Sequence, residues 1–145
     1  MTMTIDMHTH VAPRQAVKIA ESGGTWHGVE FYRDKNDKLT TSYGNLKMSL
    51  PWPKKMETPD ERLNSMDVRK VDMHVLSISP LMHWHGLDNT NALAYAKDVN
   101  DDISDYASIN GNRFKSFCFL PLQDPKASVI ELERCVNSKK MLGAM

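Results

Sequence analysis

Two histidines stand two residues apart in Asp6-Met7-His8-Thr9-His10, directly after the short run Thr4-Ile5-Asp6-Met7 that reads as a strand. On an extended chain, side chains two apart leave the same face, so His8 and His10 can reach one ion together. Neutral imidazole is a common ligand for zinc and other divalent metals. At the end of a first parallel strand, the pair would lie at the C-terminal mouth of a barrel, where such folds keep their active sites. Asp6 is placed to orient the site or to brace a ligand from behind. Two histidines at this spacing can also be a surface accident. Their position after a strand is what makes them a metal-binding candidate.

The rest of the chain alternates strand and helix. A long irregular stretch is expected from about Val11 to Glu57, holding a possible hairpin (Val29 to Arg33, then Leu39 to Ser42) and the breaker Pro51-Trp52-Pro53. A connection this long usually serves as a lid or binding loop. Thr58, Pro59 and Glu61 form a helix start with a capping box, and Leu63 and Met66 give that helix an apolar side. Val71 to Ser79 reads as a strand stopped by Pro80. Asn91 to Ile109 reads as a helix with Leu93, Ala96, Val99, Ile103 and Tyr106 at helical spacing. Lys115 to Leu120 is the next strand. Asp124-Pro125 caps a helix reaching about Ser138, with Val129, Leu132 and Val136 on one side, and Gly143-Ala144-Met145 looks like the opening of another strand. This rhythm predicts an α/β fold with a parallel sheet covered by helices. A (β/α)8 TIM barrel needs ~250 residues, so the 145 residues here are expected to be the N-terminal half of one, a single partial domain over 1–145 with an insertion at about 21–57 after strand one. The chain stops in mid-pattern, which suggests truncation.

Composition narrows the partners. Eighteen Lys and Arg balance eighteen Asp and Glu, so there is no electrostatic footprint for nucleic acid or an anionic membrane. Apolar runs are a few residues long, against the ~20 that span a bilayer, and Met1 to His10 lacks the pattern of a secretory signal. Cys118 and Cys135 are too few for a disulfide framework. A soluble, cytoplasmic protein is expected.

Ile5-Asp-Met-His-Thr-His-Val-Ala-Pro13 resembles the opening of the amidohydrolase superfamily, in the branch of aminocarboxymuconate-semialdehyde decarboxylase. Three later segments agree in order and spacing: Pro59 to Asp67, Val71 to Pro80, and Asn112 to Pro125 with Glu131-Leu-Glu-Arg-Cys135. The resemblance implies a metal-dependent TIM barrel, usually with Zn2+, that removes carbon dioxide without oxidation from a carboxylated aromatic or muconate-type small molecule. Related branches hydrolyse amide, ester or lactone bonds, and the first half of the barrel alone does not separate the two activities. His8 and His10 match the first two metal ligands of the family. Its further histidines and its late catalytic aspartate match no position in this chain. Two imidazoles fall short of the usual three protein ligands of a catalytic zinc, so the chain alone is expected to bind metal weakly and to be inactive. A homodimer is expected of the full-length protein by the same resemblance. Family decarboxylases grip a substrate carboxylate with an arginine in the insertion. Here Ser42 to Lys55 offers Lys47, Lys54 and Lys55 instead, and lysine pairs only as a point charge. A different class also fits a partial barrel: a non-catalytic binding module that buries its open sheet edge against a partner.

Met82-His83-Trp84-His85 is a second cluster, just past Pro80 at another strand end. His83, Trp84 and His85 are candidate substrate-pocket residues, with packing in a loop as the plain alternative. Lys47 joins them as a candidate carboxylate partner. Other residues read as structure: His27 as an exposed loop histidine, His74 as a core histidine, Cys118 and Cys135 as small buried apolar groups, Asn100-Asp101-Asp102 as a solvated helix face, and Asp124 as a helix cap.

Overall fold

The computed structural model describes residues 2–49 and 58–145; Pro51-Trp52-Pro53, Lys54 and Lys55 lie outside the described residues. Three strands build a parallel sheet in the order β1 (Ile5–Val11), β6 (Met73–Ile78), β7 (Phe114–Ser116). Helices carry the chain between them: α2 (Pro59–Arg69) precedes β6, α3 (Asn89–Ser108) joins β6 to β7, and α4 (Pro125–Lys139) follows β7. After α4 the chain returns beside β7, where Ala144 bridges Cys118 in parallel. The expected fourth strand thus opens in the expected place. Successive parallel strands lie side by side with helical crossovers, as in a partly built α/β barrel.

Local chemistry explains the elements. Thr58 caps α2 in a complete capping box with Glu61, and Pro59 takes the first helical position. Asp88 and Asp124 cap α3 and α4, Asp124 accepting from the amides of Lys126 and Ala127. The apolar stripe of α3 is buried through Ala96, Val99, Ile103 and Tyr106.

Several expectations need correction. The stretch after Val11 is not irregular. It forms helix α1 (Arg14–Ser22) and then a four-stranded antiparallel sheet of β2 (Gly24–Trp26), β3 (Val29–Arg33), β4 (Leu39–Tyr43) and β5 (Leu46–Ser49). The expected hairpin is its centre, with Arg33 opposite Leu39. No side chain caps the start of α1, and the helix is held instead by Arg14, whose backbone amide and guanidinium both donate to Asp102 on α3. Strand β1 also runs through both histidines to Val11 instead of ending before them.

Helix α4 is turned by one residue from the expected side. Ser128, Glu131 and Cys135 face inward, while Val129 and Val136 are 56% and 41% exposed. The cause is a polar network. Asn100, fully buried and not part of a solvated face, donates to the Phe119 carbonyl (2.9 Å) and to Glu131 (2.7 Å), and accepts from the Phe119 amide at 2.8 Å. Arg134 grips both oxygens of Glu131 at 2.8 and 2.7 Å and reaches Asp101 at 2.7 Å. Burying Glu131 at this density requires every one of these partners, so the network sets the rotation of α4 ahead of its aliphatic stripe. Burial pushes the Glu131 carboxyl up, but the hydrogen bonds from Arg134 and Asn100 outweigh it and hold the group below the usual value.

Glu131→Ala removes the carboxylate and leaves Asn100 and Arg134 short of a partner; it is expected to cost about 3 kcal/mol in urea unfolding. Because the folded value is depressed, the wild-type contribution is complete above the ordinary carboxyl value of 4.5 and is lost as pH falls through the folded value beneath it. Unfolding midpoints across this acid range should converge for wild type and variant.

Candidate metal centre

The histidine pair sits where β1 meets β6. From Thr9 to Val11 the two strands run in step, Thr9 opposite Leu76, His10 opposite Ser77 and Val11 opposite Ile78. Between Asp6 and Thr9 the register shifts, so β1 carries an extra residue at Met7 and His8. Such a bulge bends a strand and re-aims its side chains, and bulges recur beside active sites. The two imidazoles converge: His8 Nε2 and His10 Nε2 are 3.1 Å apart, with ring centroids 4.7 Å apart at 81°.

Each histidine has a brace behind it. His10 Nδ1 pairs with Ser77 Oγ at 3.1 Å, which leaves Nε2 as the nitrogen to face an ion. The His10 carbonyl accepts from Arg62 Nη2 at 3.0 Å, an arginine buried on the inner side of α2 beside His74 and the Tyr106 ring. His74 is the core histidine expected. Asp6 Oδ1 accepts from the His8 amide at 3.0 Å, bracing the backbone instead of the ring. Burial, together with the neighbouring His8, keeps the His10 imidazole below its ordinary value against the pull of the Ile78 carbonyl. The neutral, ligating form is therefore the one present at neutral pH.

These residues fit a divalent cation. At Zn–N distances of about 2.0–2.1 Å, two nitrogens of one tetrahedral sphere stand roughly 3.3 Å apart, close to the spacing of this pair. Among the described residues, no group of three or more His, Cys, Asp or Glu is arranged to hold a metal, so the pair would supply part of a coordination sphere.

The second cluster lies on the same rim. Strand β6 ends at Ile78, a short 3-10 turn spans Pro80–Met82, and the buried Tyr95 hydroxyl of α3 donates to the Met82 carbonyl at 3.0 Å. That pin presents His83, Trp84 and His85. Trp84 is buried, His83 half-buried and His85 exposed. The Ile78 carbonyl faces both His10 and His83, so the two clusters adjoin. Burial lowers His83 from its ordinary value, and His85 and His10 push the same way. Among the described residues, the buried atoms His83 Nε2 and Trp84 Nε1 have no hydrogen-bond partner. Lys47 is elsewhere: on β5 its ammonium lies 5.3 Å from the centroid of the Tyr32 ring. His27 is not an exposed loop histidine but bonds Asp98 at 2.8 Å beside Trp26 and Tyr95.

Sequence reading missed Arg62, Ser77 and Phe119. An arginine inside the apolar side of a helix, between Met66 and the strand it covers, was the one available signal for the first.

No protein-family profile matches the chain. It is 28% identical over 137 residues to the 2-amino-3-carboxymuconate-6-semialdehyde decarboxylase of Dictyostelium discoideum, covering 93% of this chain and 37% of the relative. It is 33% identical over 90 residues to the gamma-resorcylate decarboxylase of Rhizobium radiobacter, covering 62% of this chain and 28% of the relative. The chain is homologous to these two decarboxylases. In fold it matches the dihydroxybenzoic acid decarboxylase of Polaromonas sp. JS666, solved with bound manganese and the inhibitor 2-nitroresorcinol, with a TM-score of 0.65 and 22% identity over 99% of this chain and 38% of that one. The fold is thus part of an amidohydrolase-type TIM barrel, and the chain spans under two-fifths of the length of these relatives. The homologues are decarboxylases of carboxylated small molecules. No helix among the described residues is long and apolar enough to cross a membrane.

Ser77→Ala removes the brace on His10 and should weaken Zn2+ and Mn2+ binding roughly 10- to 100-fold, measured by competition with a chromophoric chelator. The thermal midpoint should fall as well, since Ser77 is buried and the variant also loses its hydroxyl bond to the Thr9 carbonyl, each bond being worth about 1 kcal/mol.

Proposed function

We propose that this chain forms the metal-bearing part of a nonoxidative decarboxylase acting on a carboxylated aromatic or muconate-type small molecule. His8 and His10 hold the divalent cation, Zn2+ foremost. The observation that carries this reading is the convergence of two braced imidazole nitrogens, 3.1 Å apart, at a strand end in a chain homologous to decarboxylases. When bound, the cation supplies positive charge that holds a substrate oxygen and offsets the negative charge developing as carbon dioxide leaves.

The chain's own residues do the remaining work. Ser77 and Arg62 fix His10, so the ion position is set before substrate arrives. His83, Trp84 and His85 line the pocket next to the pair, and the unpartnered His83 Nε2 and Trp84 Nε1 are the polar atoms left to meet a substrate oxygen.

The test uses the product of the full reading frame that carries these 145 residues. With Zn2+ or Mn2+ it should release carbon dioxide from 2,6-dihydroxybenzoate or an aminocarboxymuconate semialdehyde. Replacing both His8 and His10 by alanine should remove bound metal, measured by mass spectrometry of the metal, and should lower turnover at least a hundredfold, about 2.7 kcal/mol in the barrier. Hydrolysis of a lactone or amide without carbon dioxide release would assign the scaffold to the hydrolases instead. Unchanged metal content in the double variant would sink the reading.

A further inference from the structure

Two thiols in the core take no part in the proposed chemistry. Cys118 stands just past β7 and Cys135 on the inner side of α4; both are free and buried. A small apolar group would need only packing in such a place. These two have more. Cys135 comes one turn after Glu131, and its thiol donates to Glu131 Oε1 at 3.4 Å. Asn100 ties the same carboxylate to the residue after Cys118, through the Phe119 amide and carbonyl. One carboxylate-centred network therefore holds the inner side of α4 against this segment, and the Cys118 and Cys135 sulfurs face each other across it. The hydrogen bond from Cys135 pulls the Cys118 thiol below its ordinary value, while that bond and burial push the Cys135 thiol up. The thiolate is the reactive form of cysteine, so Cys118 is the sulfur of the two that ionises first.

We propose that Cys118 and Cys135 are a dithiol that hydrogen peroxide closes reversibly into a disulfide, fastening α4 to the end of β7. The Cys118 thiolate attacks one peroxide oxygen. An S–O bond forms, the O–O bond breaks, and the leaving hydroxide becomes water with the proton that Cys118 gave up. Cys135 then attacks the Cys118 sulfur. The S–S bond forms, the S–O bond breaks, and the second hydroxide leaves as water with the Cys135 proton. The two sulfurs lose two electrons in all, and one hydrogen peroxide takes them to give two waters. A thiol reductant reverses the change by exchange. Oxidation removes the Cys135 S–H, so Glu131 loses that donor and keeps those of Asn100 and Arg134. Both thiols are covered, so peroxide reaches them by local opening of the last turns of α4. Because Phe119 follows Cys118 and its ring neighbours that of His83, the new bond also ties down the backbone beside the second histidine cluster. The inference stands apart from the decarboxylase reading and needs no metal at the histidine pair.

The experiment treats the folded protein with hydrogen peroxide, blocks the remaining thiols with iodoacetamide and digests the product with trypsin. Cleavage after Lys115, Lys126, Arg134 and Lys139 puts the two cysteines in separate peptides, 116–126 and 135–139, so mass spectrometry reads a link between them directly. The linked pair is expected to become the main cysteine-containing product and to disappear with dithiothreitol. Cys135→Ser should leave Cys118 as a sulfenic or sulfinic acid, and Cys118→Ser should slow oxidation of Cys135 roughly tenfold. The exposed Met3 and Met7 report that peroxide has acted. Absence of the linked pair once both are sulfoxides, linkage only between two molecules, or linkage that forms only after unfolding in urea would overturn the proposal. So would a Cys135 that oxidises equally fast in a folded Cys118→Ser protein. If neither serine variant folds, the wild-type linkage decides the matter alone.

Discussion

The parallel pairing of β1 with β6 is the constraint on which the site depends. It sets His10 opposite Ser77, so that a hydroxyl on one strand orients an imidazole on the other. It also carries the end of β6 to the same rim, where the 3-10 turn and the Tyr95 hydroxyl present the second histidine cluster. A slip of one residue in this register would reverse which face each side chain takes and would part His10 from its brace. Buried side-chain bonds from Thr9 to the Val75 carbonyl (3.0 Å) and from Ser77 to the Thr9 carbonyl (3.3 Å) hold the register at this point.

Behind the sheet, the helices are positioned as much by buried polar pairing as by apolar packing. Asn100, Glu131 and Arg134 join α3, α4 and the segment after β7 into one unit. That unit fixes the backbone of Phe119 through two hydrogen bonds from a single asparagine. Phe119, whose ring lies 5.1 Å from that of His83, is therefore anchored by groups on α3 and α4. Arg62 plays a similar part beneath β1, spending its charge on the His10 carbonyl.

The parallel strands, the capped starts of α2 and α4 and the shared face of His8 and His10 were legible because each rests on local chemistry. A capping box, proline at the first helical position and two histidines at alternate positions are written in neighbouring residues. What was not legible depends on contacts far apart in sequence. Helix α1 lacks a side-chain cap and owes its start to Asp102, 88 residues away. The antiparallel sheet was visible only as its central hairpin, since β2 and β5 are short and poorly patterned. For α4, Val129, Leu132 and Val136 were as periodic as Ser128, Glu131 and Cys135, and only the partners of Glu131 decide between them. Asn100 was misread for the same reason, as a polar residue beside two aspartates whose partner lay 31 positions onward.

The bulge in β1 gives the two histidines different freedom. His10 lies in the stretch paired with β6, and its ring is tied across to that strand. His8 stands at the register shift, exposed, with its amide bonded to Asp6 of its own strand. In the proposed metal site His10 would thus be the anchor and His8 a compliant arm. Ions of differing radius would then be met by displacement of the arm alone, leaving the sheet undisturbed.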